Sequence, residues 1–120
     1  MNQILIIDDT HDLRELLKVF FEAKGYEVLE ASSGKAGLEI ISAKKPSLVI
    51  TDIIMPDMNG IDVIKEVRRK NKRLPVIAMS GYQDELGQVE RLGVNATFIK
   101  PPNLEEMGHL VNLLVQKKSA

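Results

Sequence analysis

The chain has 120 residues, enough for one domain and too few for a catalytic core with a separate substrate domain. It has no cysteine, which excludes a disulfide framework, a thiolate zinc site and cysteine nucleophile chemistry. Sixteen Lys and Arg against seventeen Asp and Glu leave a net charge of −1, and aromatics are 4% with no Trp. That balance gives no field toward nucleic acid or an anionic membrane, and no stacking platform for single strands.

The first apolar run, Gln3–Ile7, meets Asp8-Asp9 at once. It is too short and too quickly acidic for a signal peptide or a membrane span, so the expected location is cytoplasmic. Leu13, Leu16, Leu17, Phe20 and Phe21 then form one apolar helical stripe. Asp12 with Glu15 reads as a capping box, and Gly25 as the helix stop. Tyr26–Ala31 interleaves Glu27 and Glu30 with apolar positions, which predicts an edge strand. A helix is expected from Gly34 to Lys44, stopped by Pro46. Ser47–Thr51 is a continuous apolar strand, and Gly60 opens a third helix with Ile61, Ile64 and Val67 inward. Pro75–Met79 is a fourth strand, followed by a short helix carrying Leu86, Val89 and Leu92 before Gly93. Ala96–Ile99 is a fifth strand, and a last helix begins near Leu104 with Met107, Leu110, Val111 and Leu114 inward. Five alternations of strand and helix predict an α/β fold with a parallel sheet.

Ligands of such sheets bind beyond the carboxyl ends of the strands. Those ends carry Asp8 and Asp9, Asp52, Ser80 and Lys100. Singly each has a plain structural reading: a helix cap for Asp8, a turn residue for Asp52 or Ser80, a solvated amine for Lys100. Jointly they suit phosphoryl transfer. Clustered carboxylates need a cation, and without thiolates or imidazoles the expected cation is hard: Mg²⁺, or Mn²⁺ as the alternative. Asp9 and Asp52 fit as its ligands with Asp8 as an outer partner. A carboxylate can itself be the nucleophile, while Lys100 and Ser80 serve the remaining phosphoryl oxygens.

These motifs resemble a known family. Ile4-Leu5-Ile6-Ile7-Asp8-Asp9, the segment from Leu48 through Asp52 and Met55-Pro56 to Gly60, Ala78-Met79-Ser80-Gly81 and Phe98-Ile99-Lys100-Pro101 are together similar to the receiver domain of bacterial response regulators in two-component and phosphorelay signalling. The resemblance spans nearly the whole chain and implies a flavodoxin-like doubly wound sheet of five parallel strands, order 2-1-3-4-5, with five helices in a single receiver domain over 1–120. It implies that Asp52 accepts a phosphoryl group from a histidine kinase or phosphotransferase. Asp8, Asp9, Asp52 and the backbone carbonyl of Ile54 would hold Mg²⁺. Ser80 would hydrogen-bond the phosphoryl group, Lys100 would pair with it, and Lys100–Pro101 would be cis. Gly81 would leave room for the donor, while Tyr82 and Ile54 would shield the phosphoryl group from water. The implied protein is no enzyme beyond its own phosphorylation and dephosphorylation. It would act on an unknown downstream protein as a monomer or a phosphorylation-dependent dimer, without contacting nucleic acid or membrane.

Three departures stand out. The position three before the lysine is Thr97, where the family usually has Phe or Tyr. The stretch from Ser80 to Gly93 is about two residues short, with Gly87 weakening its helix. Pro102 replaces the common Phe after Lys100-Pro101. The basic run Lys65, Arg68, Arg69, Lys70, Lys72 and Arg73 reads as a solvated helix end, and His11 as a loop residue. Other readings are a receiver cut from a longer regulator or hybrid kinase, and a haloacid-dehalogenase-type phosphatase, which needs an Asp where Thr10 or His11 stands. A nucleotide or flavin binder would need a glycine-rich loop after the first strand, where Asp8-Asp9 lies instead.

Overall fold

A computed structural model describes residues 2–119. In chain order the elements are β1 (Gln3–Ile7), α1 (His11–Ala23), β2 (Glu27–Ala31), α2 (Gly34–Lys44), β3 (Leu48–Asp52), α3 (Gly60–Lys70), β4 (Val76–Ser80), α4 (Gln83–Glu90), β5 (Ala96–Ile99) and α5 (Leu104–Ser119). The strands form one parallel sheet in the order β2-β1-β3-β4-β5.

Continuous apolar strands work here because alternate side chains enter two different cores. Ile4, Ile6, Leu48, Ile50, Ile77 and Met79 pack with Leu17 and Phe21 of α1 and Met107 and Val111 of α5. Leu5, Ile7, Val49, Val76 and Ala78 face the other way, onto α2, α3 and α4. Central β1, β3 and β4 are therefore buried almost throughout, while β2 at the edge is half-buried, as its Glu27 and Glu30 predict.

Four details differ from the sequence expectation. β3 and β4 run one residue further, so Asp52 and Ser80 are the last residues of their strands and their backbones are fixed by the ladder. Leu16 lies off the buried stripe of α1 and is 49% exposed, because Leu17 and Phe21 define the inward direction. The capping box of α1 is absent: Thr10 is the N-cap and its side chain makes no cap bond, while Asp12 merely sits in the first turn. Arg68 is no solvated cation. Its guanidinium donates to the carbonyls of Gly93, Asn71 and Leu74 and to Asn95 Oδ1, stapling the end of α3 to the loop before β5. Arg69 and Lys70 do lie on the surface, paired with Glu66.

Candidate functional site

The parallel register delivers Asp8, Asp52, Ser80 and Lys100 to one end of one sheet. Asp8 follows β1, and its backbone N–H continues the ladder to the Ala31 carbonyl at 3.0 Å. Its Oδ1 accepts from the Thr10 N–H at 2.8 Å, and its own carbonyl accepts from Arg14 Nη1 at 2.7 Å. The carboxylate is thereby aimed although it is fully buried. Asp52 ends β3, where Oδ2 accepts from Lys100 Nζ at 2.8 Å and Oδ1 from the Ile54 N–H at 3.4 Å. Lys100 Nζ also lies 2.9 Å from Asp8 Oδ2, so one ammonium bridges two buried carboxylates. The second contact is an ion pair without hydrogen-bond alignment, and Asp8 Oδ2 is left with no hydrogen bond at all.

The electrostatics follow from that arrangement. Burial pushes the Asp52 carboxyl above its usual range; the Asp8 charge adds to the effect, and Lys100 only partly opposes it. Burial pulls Lys100 down, but its hydrogen bond to Asp52, its close contact with Asp8 and the charges of both carboxylates win, and the ammonium is held above the usual lysine range. The site is over-acidic by design of its neighbours: a single lysine is shared among carboxylates.

Asp9 is exposed beside this pair, and carboxylate oxygens of Asp8, Asp9 and Asp52 lie within 4.8 Å of one another. An all-oxygen donor set of this kind suits a hard divalent cation, and the buried Asp8 Oδ2, with no hydrogen bond and only a share of the Lys100 ammonium, can still accept one. The residues present therefore fit Mg²⁺.

Ser80 ends β4 with its side chain buried. Its Oγ accepts from the Tyr82 N–H at 3.1 Å and donates to Glu85 Oε1. Lys100 is set beside it because the Lys100 N–H donates to the Ser80 carbonyl at 2.8 Å, and the Lys100–Pro101 bond that follows is cis. Ile54, two residues after Asp52, and Tyr82, two after Ser80, are exposed, and Thr97 lies half-buried on β5. His11, expected in a loop, is the exposed first residue of α1 and lies 3.6 Å from Asp12.

Three residues have roles at this end that the sequence does not assign, although Gly60 is legible there as the start of α3 and the end of a motif. Asp57, in the loop after β3, accepts from the N–H groups of Gly34 and Lys35 and so caps α2 from across the sheet end. Those backbone bonds hold its carboxyl below the usual range against what burial would do. Gly60 brings the start of α3 against the β3 exit, with its N–H on the Ile53 carbonyl at 2.6 Å. Glu85, on α4, is the partner of Ser80; it is five residues away, outside any capping spacing that a sequence scan would test.

A family model for the response regulator receiver domain matches residues 4–112. The chain is 33% identical over 122 residues to the Sporulation initiation phosphotransferase F of Bacillus subtilis, covering 99% of this chain and 98% of that protein. It is 36% identical to the Regulatory protein AtoC of Escherichia coli over 99% of this chain, but spans only 26% of that protein's length. Among solved structures, the response regulator TrrA of Thermotoga maritima in complex with Mg²⁺ and BeF superposes with a TM-score of 0.88 at 32% identity, over 95% of this chain and 99% of that one. Receiver domains are signalling modules phosphorylated by histidine kinases, and they bind Mg²⁺ at an acidic cluster. With the sheet order, the acidic end and these likenesses in agreement, the chain belongs to the response regulator receiver domain family.

Proposed function

We propose that this chain is a phosphorylatable signalling domain in which Asp52 is the phosphoryl acceptor. The observation that carries the reading is the position of the Asp52 carboxylate. It sits at the end of a central strand, bonded to Lys100 Nζ at 2.8 Å and within 4.8 Å of the Asp8 and Asp9 carboxylates. In the transfer an Asp52 oxygen attacks the phosphorus of a phosphohistidine whose ring carries a proton on its other nitrogen, the P–N bond breaks with its electron pair going to the ring, and neutral imidazole leaves.

Asp9, Asp52 and the Ile54 carbonyl would hold Mg²⁺, with Asp8 supporting it; Mn²⁺ is the alternative cation. The cation supplies charge neutralisation for the attacking and transferring oxygens. Asp8 is fixed for that task by the Thr10 N–H and the Arg14 contact to its carbonyl. Lys100 is already poised on Asp52 Oδ2 and would move its charge to a phosphoryl oxygen, and Ser80 Oγ would donate to another. Ile54 and Tyr82 are exposed, and in this reading their bulk would shield the phosphoryl group and slow hydrolysis by misplacing the attacking water. The reading takes 1–120 as one receiver domain, phosphorylated by a histidine kinase or phosphotransferase and answering to a downstream protein. No helix among the described residues is long and apolar enough to cross a membrane.

The test is incubation with Mg²⁺ and acetyl phosphate, followed by intact-mass analysis. The wild type gains one phosphoryl group that is labile to base, and neither the Asp52→Asn variant nor an EDTA-treated sample does. An unchanged adduct in Asp52→Asn refutes the assignment.

A further inference from the structure

The start of α4 is held in an unusual way. Tyr82 is its N-cap and has no side-chain cap of its own, and Glu85 is the third helical residue. A glutamate at that place ordinarily reaches back to the backbone N–H of the N-cap. Here the Ser80 hydroxyl stands between the two: Tyr82 N–H donates to Ser80 Oγ, and Ser80 Oγ–H donates to Glu85 Oε1. A serine outside the helix thus completes the cap as a relay.

We propose that Glu85 is a positioning residue for Ser80, and that the cap of α4 and a phosphoryl group on Asp52 compete for the single proton of the Ser80 hydroxyl. This rests on the reading of Asp52 as the acceptor. A serine hydroxyl has one O–H to give. While it points to Glu85 it is withheld from the phosphoryl oxygens; once it turns to them, Glu85 loses its donor beside a newly anionic group. The helix so released is weak. It has eight residues, and Gly87 lies in its middle with nothing within 4 Å of where a Cβ would stand. Phosphorylation is thereby read at the first turn of α4, with no aromatic side chain needed at position 97.

The experiment compares acetyl phosphate labelling rates, with Mg²⁺, for wild type, Glu85→Ala and Glu85→Gln, each also in a Ser80→Ala background. Freed from Glu85, Ser80 meets the phosphoryl group without first breaking a charge-assisted bond. Labelling of Glu85→Ala should rise about three- to tenfold, and of Glu85→Gln by less, since its amide oxygen still accepts. In the Ser80→Ala background both substitutions should have no effect. Hydrogen exchange at residues 82–86 should quicken on phosphorylation in wild type and be quick beforehand in Glu85→Ala. An unchanged or slower rate in Glu85→Ala overturns the proposal. So does an equal acceleration in the Ser80→Ala background, which marks mere removal of a negative charge. Absence of any adduct in wild type overturns the acceptor reading itself, and is told apart because it appears before any Glu85 variant is compared.

Discussion

Gly60 offers a sharp test of how the fold positions Asp52. It is the first residue of α3, buried against the strand that ends in Asp52. A Cβ there would press on the Asp52 carbonyl oxygen and lie 2.6 Å from Ile53 Cα and 2.8 Å from the Ile53 oxygen. All three are backbone atoms, so no rotamer change relieves the contact; α3 and the β3 exit must part by about 1 Å to reach ordinary van der Waals distance. Overpacking of this kind costs about 1–3 kcal/mol. The Gly60 N–H bond to Ile53 at 2.6 Å is stretched by the same movement, at a cost of about 1 kcal/mol. The combined cost of about 2–4 kcal/mol exceeds the gain of about 1 kcal/mol that alanine brings to a helix, so Gly60→Ala should be destabilised by about 1–3 kcal/mol. For a domain of this size that is a fall in Tm of about 4–12 °C. Because the displaced atoms carry Asp52, acetyl phosphate labelling at a temperature where the variant is fully folded should drop about 10- to 100-fold. The internal control is Gly87→Ala, where nothing lies within 4 Å of the added methyl; it should gain about 0.5–1 kcal/mol. Thermal melts by circular dichroism and intact-mass labelling read both. If Gly60→Ala melts with the wild type, or labels as fast, the close approach is not what sets the Asp52 backbone.

Other outcomes follow from the same geometry. In EDTA at neutral pH, Asp52→Asn should melt above wild type, because burial and the Asp8 charge make an ionised Asp52 unfavourable in the fold; adding Mg²⁺ should raise the Tm of wild type more than that of the variant. The pH dependence has a definite sign. The Asp52 pKa is raised on folding, so the native state binds the proton more tightly, and stability is greatest below the ordinary carboxylate range and lost as pH rises through the raised value. The Tm gap between Asp52→Asn and wild type in EDTA should thus shrink as pH is lowered toward 4; a gap that widens refutes the assignment of the strain to Asp52. Arg68→Ala should cost about 2–3 kcal/mol by stripping a charged donor from the Gly93, Asn71 and Leu74 carbonyls, whereas exposed Arg69→Ala should stay within about 0.5 kcal/mol. Urea titration distinguishes them.

What the sequence revealed and what it hid divide along a physical line. Strands announce themselves when both faces are buried, so Ile4–Ile7, Leu48–Ile50 and Val76–Met79 were legible, and with them the residues that end each run. Asp8, Asp52, Ser80 and Lys100 could be found because parallel strands bring their carboxyl ends together whatever the loops do. Residues whose role depends on the direction of one long side chain were not legible. Arg68 sits in a basic run that reads as solvated, yet it reaches Gly93, 25 residues on. Leu16 and Leu17 are adjacent and equally apolar, and only the packing of α1 on the sheet decides that one is exposed and the other buried. Asp57 has the composition of a turn, and its role as a remote cap for α2 needs the two loops side by side.

Position 97 bears on how a change at Ser80 leaves the site. Phe98 lies next to Thr97 and invites the idea that it supplies the missing aromatic. Strand alternation forbids it: Ala96 and Phe98 pack into the core shared by α1 and α5, so Thr97 and Ile99 take the opposite direction. Moving Phe98 into the role would mean slipping β5 by one residue, which would break its register of Ala78 with Thr97 and Ser80 with Ile99 and turn Ile99 inward in its place. Thr97 lacks the bulk to carry a change at Ser80 outward by filling or leaving a cavity. The contacts that do leave the Ser80 side chain run to the Tyr82 N–H and the Glu85 carboxylate, both at the start of α4. A hydroxyl that shifts between a phosphoryl oxygen and Glu85 acts on that helix directly, through a hydrogen bond, where an aromatic side chain would act through packing. The shortened α4 fits this division of labour: a helix of eight residues with a central glycine has little stability beyond its cap and two buried side chains, Leu86 and Val89, so the loss of one capping bond is a large fraction of what holds its first turn.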